Sequence, residues 1–155
     1  MNRNRKTEQI GSVLLEVMIS ILIFSFGVLG IIGLQANMIK GAAEARYRSE
    51  AGFFANRLLG EINAADRSSA AALSAFLPPS GAKYTTWYDE IKNTDVSAGL
   101  LGLPGAATTA PTVTITPFTN ITGFPTRYDV TVSLFWQSPG QPQHRHVVST
   151  SISAD

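Results

Sequence analysis

One uncharged apolar stretch near the N-terminus limits what this chain can fold into. The stretch Val17–Ile39 has 23 residues and contains no Asp, Glu, Lys or Arg. As an α-helix it would extend about 34 Å at roughly 1.5 Å per residue, enough to cross the hydrocarbon core of a bilayer. Three basic side chains lie among residues 1–10. The positive-inside rule therefore predicts that this N-terminal segment stays in the cytoplasm while the rest of the chain crosses the membrane.

We interpret the apolar stretch as a membrane-spanning helix with a role beyond anchoring. Three other interpretations compete with this one. A cleavable secretory signal has an apolar region of about 7–15 residues, and the small-x-small pattern at Ala43-Glu44-Ala45 follows a much longer one. A buried helix of a soluble core would need more chain to enclose it than the remaining residues provide. A plain signal anchor agrees with the hydropathy but leaves Glu16 unexplained.

Glu16 is the only charged residue between Ser12 and Ile39. A carboxylate inside a membrane costs about 2–3 kcal/mol at depth, so it requires a partner, and no cationic side chain lies within the span. Cleavage after Gly11 would create an α-amino group at Ser12, one helical turn from Glu16. The alternative is a glutamate at the interface whose side chain reaches water, beside the positive end of the helix dipole.

The segment Gly11-Ser12-Val13-Leu14-Leu15-Glu16-Val17 resembles the processing motif of type IV prepilins and pseudopilins. The resemblance implies that a prepilin peptidase, a membrane aspartyl protease, removes residues 1–11 and methylates the new amine of Ser12. It further implies that Glu16 of one subunit faces the Ser12 amine of a neighbouring subunit in a filament. The family usually begins its mature chain with Phe or Met, so Ser12 departs from the pattern.

Two further regions are similar to minor pilins of the PilV type, the type IV pilus modification proteins. These are residues 22–35, with their Gly-Val-Leu-Gly-x-x-Gly-Leu-Gln run, and the Trp136-Gln137-x-Pro139-Gly140 turn leading into His144-Arg145. The resemblance implies a structural subunit of the inner membrane that takes part in pilus assembly or modification and ends in the extracellular pilus. Its implied partners are the prepilin peptidase, other major and minor pilins, the inner-membrane assembly platform and, before assembly, the lipid bilayer.

Two alternatives remain open for the function. A pseudopilin of a type II secretion system would share every N-terminal feature. A membrane-anchored binding domain with a single span, which never polymerises, belongs to a different class of protein.

Gly27, Gly30 and Gly33 recur every three residues in the middle of the span. Each costs a helix roughly 1 kcal/mol relative to Ala. One interpretation is close packing of helices, for which membrane proteins use small residues. The other is a softened helical segment that stretches when the subunit leaves the bilayer for the filament.

The pattern after residue 39 predicts an amphipathic continuation of the same helix over residues 40–65, followed by a periplasmic globular head at 66–155. One apolar stripe with helical spacing marks this continuation, formed by Tyr47, Ala51, Phe54, Leu58 and Ile62. The residues Glu44 and Arg48 are spaced to form an i,i+4 ion pair.

Beyond the long helix, the sequence predicts two short helical elements and three strands. Residues 70–77 suggest a turn of helix, Pro78-Pro79-Ser80-Gly81 a break, and 86–101 a second short helix. Alternation predicts strands at 112–117, 127–137 and 144–153, the middle one with Tyr128, Val130, Val132, Leu134 and Trp136 on one face. The predicted fold class is α+β, a pilin fold with one long N-terminal helix packed on a small antiparallel sheet of about three to four strands.

The sequence offers few groups for catalysis or for metal and nucleic-acid binding. There is no Cys, the net charge is +1, and charged residues make up 15% of the chain, so nothing draws it toward nucleic acid. His144 and His146 share one face of a predicted strand, but no third metal ligand is near them in the sequence. Asp89-Glu90 is typical of a solvated helix edge, and Asn120-Ile121-Thr122 fits the glycosylation acceptor pattern. We therefore expect no enzyme activity, no cofactor and no metal.

Overall fold

The computed structural model describes residues 5–93, 102–118 and 127–154, with the side chains of residues 5–10 left aside. Helix α1 is Arg5–Ala64, a short 3-10 helix is Ala72–Phe76, and helix α2 is Ala82–Lys92. Strands β1, β2 and β3 are Thr112–Phe118, Arg127–Trp136 and His144–Ser153. The fold class is α+β with a three-stranded antiparallel sheet, as predicted. The glycosylation pattern at 120–122 lies outside the described residues.

The chain forms two compact units, Met1–Ala43 and Glu44–Asp155. Helix α1 begins earlier than the sequence predicted, because it already includes described residues of the basic N-terminal segment. It continues without interruption through the three glycines of the apolar stretch. Each glycine costs a helix roughly 1 kcal/mol relative to Ala, a cost that a helix of 60 residues can absorb.

Strand β2 is central in the sheet, which has the order β1-β2-β3. Val130 pairs with Ile115 of β1 and with Thr150 of β3, while Val132 pairs with Val113 and Val148. Every second side chain of β2 is buried, from Tyr128 to Trp136. The predicted alternation of β2 is confirmed, since one face of the strand supplies the apolar layer of the second unit.

Residues 44–64 of α1, which belong to the second unit, form the other side of this core. Ala51, Leu58 and Ile62 are fully buried, Phe54 is nearly so, and Tyr47 packs at the edge. The predicted stripe is therefore confirmed. It is also wider than predicted, because Ala55 and Leu59 are buried with it. A helix that faces a sheet buries a broader strip than a single line of i, i+3 and i+4 positions.

Helix α2 differs from its prediction at both ends. It begins at Ala82, directly after the extended residue Gly81, and not at residue 86. It ends at Lys92 and does not continue to residue 101, because Asn93 is extended with φ −84° and ψ 107°. The chain then returns to the end of the helix, where the Leu103 amide donates to the Ile91 carbonyl at 2.8 Å.

The sequence pattern did not predict the first turn of α2, because this turn is stabilised by a contact between Tyr84 and a residue far along the chain. Its ring is buried, and its hydroxyl donates to the Pro111 carbonyl at 2.7 Å. That contact joins positions 27 residues apart and holds the helix start in place. The predicted break at residues 78–81 and the predicted helical turn before it are both present, the latter as the 3-10 helix with Leu73 and Phe76 buried.

Candidate functional site

The apolar part of α1 in the first unit is uncovered. Its large hydrophobic side chains range from 38% exposed at Val28 to 72% exposed at Ile39. An uncovered apolar surface of this extent is uncommon on a soluble monomer and marks contact with a membrane or with another protein. By length and composition this segment can cross a membrane, with a mean hydropathy of 2.6 in its most apolar window.

Glu16 interrupts this apolar surface with a single carboxylate. Its side chain is exposed, and among the described side chains no Lys, Arg or His pairs with it. Ser20 donates its hydroxyl to the backbone carbonyl of Glu16 at 2.8 Å, which leaves the carboxylate itself unengaged. The chain therefore carries an acidic group that its own described residues do not neutralise.

Gly11 and Ser12 lie inside α1, one turn before Glu16, and both are exposed. Four residues of helix rise about 6 Å, so position 12 and position 16 lie on the same side of the helix. An amine created at Ser12 would therefore emerge on the face that carries the carboxylate.

Gly27, Gly30 and Gly33 are exposed on α1. A Cβ atom added at any of the three would meet nothing within 4 Å. Contacts within the described part of the chain thus give no packing reason for glycine at these positions. Both interpretations, close packing against another helix and softening of the span, stay predictions.

A second polar constellation lies in the second unit, and we call it the Glu44 cluster: Glu44 of α1, Trp136 of β2, Ser138 of the following turn and His144 of β3. Ser138 donates to Glu44 Oε1 at 2.7 Å and Trp136 Nε1 donates to Oε2 at 3.1 Å. His144 Nε2 lies 3.3 Å from the same Oε2. The Glu44 carboxylate therefore connects the β2–β3 hairpin to α1.

The predicted ion pair between Glu44 and Arg48 is wrong. The i,i+4 ion pair in this part of the helix joins Arg46 and Glu50, with Nε 2.9 Å from Oε1. Glu44 instead accepts two hydrogen bonds from the hairpin, and Arg48 acts on it only through its charge.

The electrostatics of the cluster favour an ionised Glu44. The hydrogen bond from Ser138 lowers the pKa of Glu44 below its usual value of 4.5, burial opposes this, and Trp136 and the charges of His144 and Arg48 lower it further. Hydrogen bonds to a carboxylate stabilise its charged form, so the net direction is downward.

His144 and His146 of β3 each lie against another element of the second unit. His144 stacks on Trp136, with ring centroids 5.5 Å apart and an interplanar angle of 19°. His146 lies over Gly52, where its Nε2 would be 3.8 Å from an added Cβ. Across the described residues, no three His, Cys, Asp or Glu side chains come close enough to hold a metal ion.

The acidic pair Asp89-Glu90 lies on a solvent-facing helix edge, as the sequence predicted, since the side chains are 64% and 40% exposed. Glu90 forms an ion pair with Arg57 of α1, and Asp89 pairs with Lys92 at 2.6 Å within α2. Next to this pair, Trp87 Nε1 donates to the Phe54 carbonyl at 3.0 Å. The contacts of Glu90 with Arg57 and of Trp87 with Phe54 join α2 to α1.

No local pattern in the sequence indicates the Glu44 cluster, because its hydrogen bonds join residues 92 and 94 positions apart. The segment from Trp136 to His144 carries only a resemblance to the closing hairpin of the family. Comparison with known proteins adds no further guide, since no protein-family model, curated protein or solved structure matches this chain.

Proposed function

We propose that this chain is a type IV pilin-like subunit, a minor pilin that takes part in pilus assembly or modification. The observation that carries the proposal is the single unpaired carboxylate of Glu16 on an otherwise uncovered apolar helix. An apolar surface of this kind suits lipid before assembly and neighbouring helices afterwards, and a carboxylate buried among helices requires a cationic partner. A filament core in which each helix start carries an amine supplies that partner.

The proposed mechanism makes proteolysis the switch for assembly. Before cleavage, Ser12 carries a backbone amide and no amine. Removal of residues 1–11 by a prepilin peptidase places an amine on Ser12, and a methylated amine keeps its positive charge. Because the Gly11–Ser12 bond lies inside α1, this turn of helix must open for the peptidase.

The pairing of Glu16 with the Ser12 amine of a neighbour would set the register between subunits. Burying both charges offsets much of their attraction, so the pair contributes little net stability. Removing one partner is a different matter, since an uncompensated buried charge costs about 3–5 kcal/mol. A wrong register would leave both charges unpaired and is therefore strongly disfavoured.

The proposal assigns the remaining parts supporting roles. Residues 12–39 anchor the subunit in the inner membrane, the head lies in the periplasm, and the subunit later enters the extracellular pilus. Gly27, Gly30 and Gly33 either admit a neighbouring helix closely or let the span stretch. No catalytic step is assigned to the chain. The assembly platform and the other pilins are its proposed partners.

The first experiment is mass analysis of the N-terminus of the protein purified from its native host. We expect a mature chain that begins at Ser12, with or without a methyl group on the amine. An intact Met1 would exclude processing, and cleavage near Ala45 would indicate a secreted protein. Either result would contradict the pilin proposal and leave the membrane-anchored binding domain or a secreted domain.

The second experiment separates processing from assembly. Gly11→Ala should block removal of the leader, while the control Gly41→Ala, also exposed with nothing within 4 Å, should be processed normally. Glu16→Ala should be processed but enter pili at least tenfold less, whereas Ser20→Ala, one turn further along, should assemble like the natural protein. Normal incorporation of Glu16→Ala would refute the pairing mechanism.

The pseudopilin alternative shares the same N-terminal chemistry and needs a different assay. A deletion strain should lose or alter its surface pili, and its type II secretion should be unchanged. The reverse result, intact pili with defective secretion, would assign the chain to a secretion pseudopilus.

A further inference from the structure

Strand β3 lies at one edge of the sheet and is hydrogen-bonded on one side only. It pairs with β2 along its whole length, His144–Ser153. Among the residues that the structure describes, no strand or turn bonds to the backbone on its other side. The backbone groups of a strand point alternately to its two sides, so every second residue of β3 presents an N–H and a C=O at this edge.

The two edges of the sheet differ in how they are protected. Natural proteins often block an edge strand with proline or lysine, which hinder the pairing of another strand. Strand β1 contains Pro117 within its seven residues, and its start is fixed by the hydrogen bond from the Tyr84 hydroxyl to the Pro111 carbonyl. Strand β3 contains no Pro, Lys, Asp or Glu in its ten residues, and its one arginine is Arg145. The β3 edge is therefore open to a further strand.

The apolar layer of the second unit is also incomplete at this edge. On the inner side of β3, His146, Val148 and Thr150 are only half-buried, whereas every inner residue of β2 is buried. On the outer side of β3, Val147 is 42% exposed. A strand added beside β3 would cover both rows and would supply hydrogen-bond partners to the edge, as extended peptides do when they bind to a sheet.

A second copy of this chain does not fit the edge. Parallel, in-register pairing of two β3 strands would put the two Arg145 side chains next to each other, and like charges at opposite positions destabilise a sheet. Antiparallel pairing would put the two His144 ends about 30 Å apart, at roughly 3.3 Å per residue. Glu44 contacts His144 and follows Ile39 by five residues, so two membrane anchors would start from opposite ends of the paired strands. Two copies anchored in one membrane do not meet this geometry, a step that rests on the proposed anchor.

We propose that the open edge of β3 binds an extended segment of a different protein, which joins the sheet as a fourth strand. The exposed side chains on the outer face of β3 specify the chemistry of that segment. Arg145 and Val147 lie two residues apart on this face. The added strand therefore carries an acidic residue opposite Arg145 and an apolar residue opposite Val147, again two residues apart.

Hydrogen exchange on the full-length chain in detergent micelles tests the edge with a defined probe. The probe is the acetylated and amidated peptide Thr-Thr-Val-Thr-Val-Thr-Glu-Thr, whose antiparallel pairing places Glu opposite Arg145 and a valine opposite Val147. At about 2 mM peptide, every second amide of β3 should exchange about fivefold more slowly, which corresponds to a Kd of about 0.5 mM. The same peptide with both valines replaced by proline should protect no amide, because proline lacks the N–H that the ladder needs. Amides of α2 serve as the internal reference.

Matched charge variants test the specificity of the edge. Arg145→Glu should weaken protection by the peptide, and a peptide with Lys in place of Glu should restore it in this variant alone. Arg127→Glu, exposed at the other end of the central strand, should respond like the natural protein.

Four results would overturn the proposal. These are no protection of the natural chain, equal protection by the proline peptide, protection of β1 in place of β3, and an unchanged response of Arg145→Glu. Slower exchange along β3 without peptide, as the protein concentration rises, would also overturn it, because a second copy would then be the occupant. The exchange rates of β3 do not depend on processing of the N-terminus. A mature chain that retains Met1 would therefore contradict the pilin proposal and leave this one standing.

Discussion

The replacement Leu58→Ala tests whether residues 44–64 of α1 belong to the hydrophobic core of the second unit. Leu58 is 0% exposed and belongs to the apolar cluster that includes Trp87, Val130 and Leu134. Loss of a fully buried leucine removes about 1.5–3 kcal/mol of transfer free energy, and the cavity left behind brings the usual total to about 2–5 kcal/mol. Helix propensity alone would predict no destabilisation, because Ala is a slightly better helix former than Leu.

The matched control is Phe53→Ala on the same helix. Phe53 is 62% exposed, so its replacement should change the free energy of unfolding by about 0.5 kcal/mol or less. Urea unfolding of the full chain in micelles, followed by tryptophan fluorescence, measures both variants, since Trp87 and Trp136 are each 2% exposed and report on the core. Equal unfolding midpoints for the two variants would refute the assignment of α1 to this core. A lower midpoint for Leu58→Ala alone would support it.

Four other perturbations have definite expected outcomes. Tyr84→Phe should lower the free energy of unfolding by about 1–2 kcal/mol, because the buried Pro111 carbonyl loses its donor; an unchanged melting temperature would contradict that role. Gly60→Ala should raise the free energy of unfolding by about 0.5–1 kcal/mol, since an added Cβ meets nothing within 4 Å. In contrast, Gly102→Ala should lower the thermal midpoint, because its Cβ would lie 2.4 Å from two backbone carbonyl oxygens. Glu44, with its lowered pKa, stabilises the fold above its usual value of 4.5 and loses this contribution as the pH falls through the folded-state pKa. When the free energy of unfolding is measured at decreasing pH, it should therefore fall less for Glu44→Gln than for the natural protein. An identical decrease for the two proteins would contradict the stabilising role of the Glu44 cluster.

Much of the architecture follows from local patterns. The bounds of β3 agree with the prediction, and those of β1 and β2 agree to within one residue. Alternation along β2 correctly identifies its buried face, because a strand exposes successive side chains on opposite sides whatever lies next to it. The helical stripe from Tyr47 to Ile62 is equally local. The apolar stretch, its basic flank and the position of Glu16 need no tertiary information either, since hydropathy and charge are properties of the residues themselves.

Contacts between distant residues account for what the sequence could not indicate. The start of α2 depends on the hydrogen bond from Tyr84 to Pro111, and the partner of Glu90 is Arg57, 33 residues earlier. Glu44 has an arginine one turn away yet binds a tryptophan and a serine more than ninety residues later. Spacing along the sequence indicates which partners a side chain can reach within its own helix or strand. Which of them it binds depends on how helix and sheet pack, because burial removes water as a competitor and so favours the donors that the packed surface brings to the carboxylate.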